Sequence, residues 1–448
     1  MTNRQKTLDM TEGTIWRTLL AFFLPILLGS LLQQLYTTAD AIIVGRLAGK
    51  QGLAAIDSVY TLLRLPVNFF TGMATGATIL ISQLYGAKRR EELDRAVHTA
   101  VAFSAVGGLI LSAAGVLAAP RCLGLMGVPA ELREMTLSYM RIYFAGFVIS
   151  MVYNVGAGIL RAIGDSETPF RVLAVSCVVN ILLDLLLVGP VGWGVAGAAL
   201  ATVLAQGVSA LLVLGALARP DGLAPLRWKE VRFHGPQLKS ILRVGLPVGL
   251  QSSLFPIANM TIQASINATG TDNIAAWALC GKLDLLIWLV ADSLAAALST
   301  FVAQNYGARQ FGRVRQGVRT TLWMTLALVG GISLVLFFGC EHIGLLFIDA
   351  ADRDILPLMG RLMRFLAPLY FLYVFGETFS GALRGGGETF LPMLLTLLGT
   401  CGVRVVWVLL VVPGSREVLP IIASYPLSWL VTGIIFGAYY WHFQKRKF

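Results

Sequence analysis

The sequence predicts an all-α polytopic membrane protein, with twelve transmembrane helices in two six-helix lobes related by a pseudo-two-fold axis along the membrane normal. Three observations lead there: a composition too apolar for a soluble fold, a series of about twelve long apolar runs, and motifs that recur once at a near-constant offset. Of 448 residues, 56% are hydrophobic and 13% charged, and the mean hydropathy is +0.74. A soluble domain carries about 25% charged residues, so the solvent for this surface must be lipid. The runs lack the ten-residue alternation of a membrane β-barrel, which leaves helices.

Spanning a bilayer takes roughly 20 apolar residues per helix. The first run, 15–38, follows a charged, polar segment and has no small-residue cleavage site behind it, so it reads as a retained helix and not as a cleaved signal. It contains Pro25, which removes a backbone hydrogen bond and predicts a bending point. The next runs are 55–84, 94–119, 135–160, 169–189 and 191–217. Between the last two, Gly192-Trp193-Gly194-Val195-Ala196-Gly197 fits a dinucleotide-binding pattern, but no βαβ unit surrounds it and it reads as a tight hairpin. Residues 218–240 are polar and broken by Pro220, Gly222 and Pro225, the signature of a cytoplasmic linker. The second series is 241–267, 274–304, 316–340, 357–383, 390–412 and 418–442. Residues 1–217 therefore form the expected first lobe and 241–448 the second.

The repeat is explicit in the residues. Gln83-Leu84-Tyr85-Gly86-Ala87-Lys88 returns 221 residues later as Gln304-Asn305-Tyr306-Gly307-Ala308-Arg309. Leu160-Arg161-Ala162-Ile163-Gly164-Asp165 returns 223 residues later as Leu383-Arg384-Gly385-Gly386-Gly387-Glu388, and Pro25 pairs with Pro247 at 222. Six spans per half give both halves the same orientation, which implies a central cavity between them.

The net charge of +11 is explained by topology. With the N-terminus inside, 23 of the 35 Lys and Arg fall on that side, among them Arg4, Lys6, Lys88-Arg89-Arg90, Arg227, Lys229, Arg309, Arg313 and Lys445-Arg446-Lys447. That excess satisfies the positive-inside rule, places both termini in the cytoplasm and removes the need for a nucleic-acid partner. The five cysteines form no C-x-x-C pair and read as packing residues, and the four histidines lack metal-ligand spacing. No phosphate-binding loop and no clustered His, Cys or Ser set is visible, so neither ATP hydrolysis nor an enzyme is expected.

At these motifs the chain resembles the multidrug and toxic compound extrusion (MATE) family. The stretch Leu24-Pro25-Ile26 through Gln33 to Thr37-Thr38-Ala39-Asp40 and Val44-Gly45 looks like its first-helix signature, and Leu160 to Pro169 resembles its loop after the fourth span. Within the family the chain is similar to the prokaryotic DinF-type branch. That resemblance implies a cation-coupling site at Asp40, Asn180, Asp184 and Thr202, with Tyr139, Asn154, Gln33 and Tyr36 lining a substrate pocket. The chain departs from the NorM-type branch: no acid lies between Gln251 and Pro256, and Tyr373 stands where that branch has an aspartate.

Read from the residues alone, an aspartate deep in a span is costly unless paired and usually marks a pathway. Asn180 and Asp184 are spaced i, i+4 and share a helix face. Two carboxylates, an amide and a hydroxyl form a hard-oxygen set suited to Na⁺, and the same carboxylates can carry a proton instead. By the repeat, Asp40, Asn180, Asp184 and Thr202 correspond to Ile262, Val403, Trp407 and Tyr425, so the second lobe lacks these acids. Asp57 with Arg64, and Lys282 with Asp284 and Asp292, are expected to pair, and Glu377, which corresponds to Asn154, is expected to face the cavity. Met73, Met151, Met260, Phe69, Phe70, Phe255 and Trp277 offer adaptable apolar surface.

The resulting expectation is a secondary efflux antiporter of a bacterial or archaeal inner membrane, exporting drug-like amphipathic and often cationic compounds in exchange for H⁺ or Na⁺. It needs no cofactor and acts as a monomer amid membrane lipids. The rival is a lipid-linked precursor flippase, which would need a strongly basic cavity and often two further spans; the first and seventh spans carry few internal cations.

Overall fold

Apolar runs of this length can satisfy their backbone polar groups in lipid only as helices, and the computed structural model is helical throughout residues 8–220, 222, 224–348, 350–411 and 417–447, apart from short connections. Arg4, Lys6 and Asp221 lie outside these described residues. In the first half the helices are α1 (Ile15–Leu47), α2 (Gly49–Gly86), α3 (Arg90–Leu125), α4 (Ala130–Ala145), α5 (Phe147–Ala162), α6 (Glu167–Val188) and α7 (Gly194–Leu217). The second half holds α8 (Gly235–Asn267), α9 (Thr271–Leu283), α10 (Leu285–Gly307), α11 (Phe311–Gly344), α12 (Leu356–Leu366) and α13 (Tyr370–Gly385). It closes with α14 (Phe390–Thr396), α15 (Val403–Val411), α16 (Val418–Ile422) and α17 (Ser424–Lys447).

Among the described residues, eleven stretches are long and apolar enough to cross a membrane, and α4 with α5 supplies a twelfth, bent by 43° at Gly146. The expected fourth span is thus two helices. The eighth is also divided, at Asp284, with α9 ahead of α10.

The chain forms two compact units. The first comprises Met1–Asp9 with Leu24–Gly249, the second Met10–Phe23 with Leu250–Phe448. Two helices therefore change unit along their length: α1 between Phe23 and Leu24, beside Pro25, and α8 between Gly249 and Leu250, just after Pro247.

In the first unit, an apolar core joins Ala74, Ala77 and Ile81 of α2 to Val97 and Ala100 of α3, Val155 and Ile159 of α5, and Val213 and Leu217 of α7. Small residues let α2 meet the first part of α8 at backbone distance. A Cβ built on Gly72 would lie 2.6 Å from Gly249 Cα, and one on Gly76 would lie 2.6 Å from Gly245 Cα. Each helix presents a Gly-x-x-x-Gly pair, the pattern that permits close crossing in membranes. The linker docks on α3: Arg227 N–H donates to His98 Nε2 at 3.0 Å, Thr99 bonds His234 Nδ1 at 3.1 Å, and Ala224 and Leu226 join the core.

The repeated motifs carry repeated backbone geometry. In the first unit α2 ends with Lys88 in the left-handed region (φ 56°), capped by bonds from Ala87 N to Gln83 O and Arg89 N to Leu84 O. In the second, α10 ends with Arg309 at φ 57°, capped from Ala308 N to Gln304 O and Gln310 N to Asn305 O. A non-glycine residue there costs about 1–2 kcal/mol, here offset by capping the last carbonyls. Gly164 (φ 90°) and Gly387 (φ 83°) likewise close the two later motifs. Beside Arg309, the second unit holds Met10 fully buried: its N–H donates to Gln304 Oε1 at 3.2 Å, and its carbonyl accepts from Asn305 Nδ2 at 3.0 Å and Arg313 Nε at 3.2 Å.

Candidate functional site

Four helices of the first unit bring polar side chains to one place. On α1, Tyr36 and Asp40 stand i, i+4 on one face, and that helix packs on α6 where a Cβ built on Gly29 would lie 3.7 Å from Leu173 Cδ2 and where Cys177 Sγ lies 3.9 Å from Leu32 O. On α6, Asn180 and Asp184 repeat the same spacing, 1% and 0% exposed. With the Asn180 amide oriented from its hydrogen-bond network, its nitrogen donates to Asp184 Oδ2 at 2.8 Å and its oxygen accepts from the Thr202 N–H at 3.3 Å. On α7, Thr202 donates its hydroxyl to Ala198 O at 3.0 Å and accepts from Tyr36 Oη at 3.4 Å. The carboxyl groups of Asp40 and Asp184 are close enough to interact electrostatically. Their Oδ1 atoms are buried and have no donor among the described residues.

This arrangement has a definite chemical capacity. Two buried carboxyl groups this close cannot both stay charged without a positive charge between them, either a shared proton or a small cation. The Asn180 amide anchors Asp184 through Oδ2 and leaves Asp184 Oδ1 without a donor. No group of three or more His, Cys, Asp or Glu side chains suited to a metal occurs among the described residues, so any cation here would also need the amide and hydroxyl oxygens.

Tyr139 of α4 is near enough to the same cluster to interact electrostatically with Asp40, Tyr36 and Asp184. Its ring stacks on Tyr143, centroids 6.1 Å apart. The sequence reading passed over Tyr143, although its i, i+4 spacing from Tyr139 was visible. The remaining expected pocket residues are placed elsewhere. Gln33 is exposed on α1, with its carbonyl bonded by Thr37. Asn154 on α5 donates to Ser150 O at 2.8 Å within its own helix.

Glu377 belongs to the second unit, where Arg384 Nη2 donates to its Oε1 at 2.7 Å. Glu377 and Arg384 stand seven residues apart, as do Asn154 and Arg161 in the first unit, so the repeat gives only the second arginine an acid. The pairings expected of other embedded charges need correction. Arg64 lies over the Tyr60 ring at 4.9 Å and forms no ion pair with Asp57, which is exposed. Lys282 lies over Phe347 at 5.6 Å. Asp284 and Asp292 instead accept from tyrosines of α13: Tyr370 Oη at 2.8 Å and Tyr373 Oη at 2.9 Å. Asp292 also interacts electrostatically with Glu377. The second unit therefore does hold embedded acids, at positions that the repeat does not map onto Asp40 or Asp184; phenol donors in place of cations were not legible from spacing.

Known proteins match nearly the whole length of the chain. The MatE family model matches residues 25–186 and 247–410. Over 451 residues the chain is 29% identical to the probable multidrug resistance protein YoeA of Bacillus subtilis, covering 98% of this chain and 96% of that protein. It is 25% identical over 399 residues to the probable multidrug resistance protein YpnP of the same organism, covering 88% and 87%. A solved structure of MATE in complex with MaL6 superposes with a TM-score of 0.92 at 23% identity, covering 99% of each chain.

Proposed function

The chain belongs to the MatE family, and from that premise we propose that it is a secondary active multidrug efflux antiporter. It exports amphipathic, often cationic compounds in exchange for inward-moving H⁺ or Na⁺. The observation that carries this reading is the gathering of Asp40 and Asp184 in one cluster, with Asn180 bonded to Asp184 and Tyr36, one turn from Asp40, bonded to Thr202. The names of YoeA and YpnP support the export of drugs; a lipid-linked precursor flippase is not favoured by them.

In this mechanism the coupling ion neutralises the carboxyl pair. Without it, the two charges repel and favour a packing in which α1 stands away from α6 and α7. With it, Asp40 and Asp184 share the positive charge and α1 closes on them. Tyr36, one turn from Asp40, follows through its bond to Thr202. Pro25 leaves α1 one backbone bond short and serves as the bending point. The cycle thus converts a charge change in one small cluster into a movement of a whole helix. The driving force is roughly 2.3 kcal/mol per charge per 100 mV, before any concentration term. Two lobes of six spans each, alternating access by their rocking, a monomeric unit and cytoplasmic termini in an inner membrane complete the proposal.

The test is dye efflux from proteoliposomes with a pH gradient and a sodium gradient imposed one at a time. The reading expects one of the two to drive efflux. Indifference to both sinks it.

A further inference from the structure

Arg404 of α15 is a fully buried cation of the second unit, 1% exposed. A guanidinium keeps its charge in a protein, and a charge within a spanning segment is costly unless paired. The partners of Arg404 are all neutral. Nη1 donates to Asn259 Oδ1 at 2.8 Å and Nε to Ser428 Oγ at 2.9 Å. Its Cζ lies 4.2 Å from the ring centroid of Tyr425 and 5.5 Å from that of Phe255. Nη2 is buried without a partner. No carboxylate among the described residues forms an ion pair with it.

The surroundings suit a ligand better than a structural plug. The segment Leu397–Gly402 is a π-helical turn that ends just before Arg404, and such turns are rare and concentrate at functional sites. Phe255, Asn259 and Tyr425 are only half-buried, so the guanidinium lies one layer beneath an accessible rim. By the repeat, Arg404 falls between the positions that correspond to Asn180 and Asp184. The second unit sets a cation on the helix where the first sets its acid.

We propose that Arg404, steered by Asn259 and Ser428 and backed by Tyr425, is an oxyanion-binding subsite. It receives a carboxylate or phosphate-class group carried by an exported compound, with Nη2 supplying a charge-assisted hydrogen bond. This rests on the export reading and narrows its substrates to compounds that join an anionic group to an aromatic body. Tyr425 and Phe255 stack on the latter; the former neutralises Arg404.

The probes are two dyes that differ by one group: rhodamine 110, with a free benzoate, and rhodamine 123, its methyl ester. Fluorescence anisotropy reads the binding of each to purified full-length protein in phosphatidylcholine nanodiscs. The wild-type protein binds the acid about tenfold more tightly than the ester; equal affinities overturn the proposal. Arg404→Gln erases the preference, and Arg404→Lys keeps part of it. Asn259→Asp leaves the arginine in place and supplies an internal carboxylate, so it erases the preference without emptying the core; a preference that survives this change overturns the proposal. Adding phosphatidylglycerol to the nanodiscs identifies the source of the anion. Unchanged acid preference supports an exported compound, whereas its loss assigns the subsite to a lipid headgroup and overturns the proposal. Gradient-driven efflux of rhodamine 123 keeps the two readings apart: efflux in a wild-type protein that cannot tell acid from ester sinks only this inference, and no efflux of either dye sinks the export reading.

Discussion

Replacing Gly76 by alanine adds one methyl group where the first unit has no room for it. The new Cβ would lie 2.5 Å from Gly245 N, 2.6 Å from its Cα and 2.6 Å from Ile241 O. All three are backbone atoms, so no rotamer change relieves the contact. Ordinary van der Waals contact begins near 3.4 Å, and α2 must therefore separate from α8 by roughly 1 Å in a region packed to crystal density. Overpacking of this kind costs about 1–3 kcal/mol, and the Gly72–Gly249 contact one turn away opens with it. The assay is thermal unfolding of the purified protein in detergent, followed by tryptophan fluorescence. Gly215→Ala is the control, because nothing lies within 4 Å of a Cβ there and alanine improves a helix interior by about 0.5–1 kcal/mol. Gly76→Ala should unfold below both wild type and control. If it unfolds with or above the control, the close crossing of α2 and α8 is wrong.

Asn180→Leu removes the donor to Asp184 Oδ2 and should lower stability by about 1–3 kcal/mol, read as a denaturation midpoint; an unchanged midpoint contradicts the hydrogen bond. Glu377→Gln leaves Arg384 without its acid and should cost roughly 3 kcal/mol, with Arg384→Gln added to it restoring part of the loss; strict additivity of the two would show that they do not interact. Burial, first, and then the neighbouring Arg232 and Arg95 hold the His234 imidazole below its ordinary value near 6.5. Protonation therefore opposes linker docking: the contact with Thr99 is complete above pH 6.5 and weakens as pH falls below it. Histidine-labelled NMR should place the His234 midpoint under 6.5, and a midpoint above it refutes the docked geometry.

Much of the fold could be read from the residues, for a physical reason. In lipid the backbone has few options, so apolar runs translate directly into helices, and the Tyr-Gly-Ala motif and the Leu-Arg motif closed by Gly164 or Gly387 keep the same backbone conformation in each unit. The breaks at Gly146 and Asp284 were not legible, because a short kink leaves hydropathy unchanged. Within the site, Asn180 and Asp184 were placed together by i, i+4 spacing alone. The approach of Tyr36 to Thr202, and of Asp40 to Asp184, needs the packing of α1 on α6 and α7, which no local pattern encodes. Tyr143 had the spacing signal and was passed over. The partners of Asp284 and Asp292 are not legible from spacing, because phenols donate where a cation would be expected, and Arg404 has no motif, being one arginine in an apolar run.

In the proposed mechanism two carboxyl groups share one charge, and Asp184→Asn takes away one of those carboxylates while keeping the shape. In proteoliposomes carrying the gradient that drives the wild-type protein, the initial rate of dye efflux from this variant should fall to that of protein-free vesicles, with dye binding retained. A variant that exports at the wild-type rate under the same gradient would contradict the account.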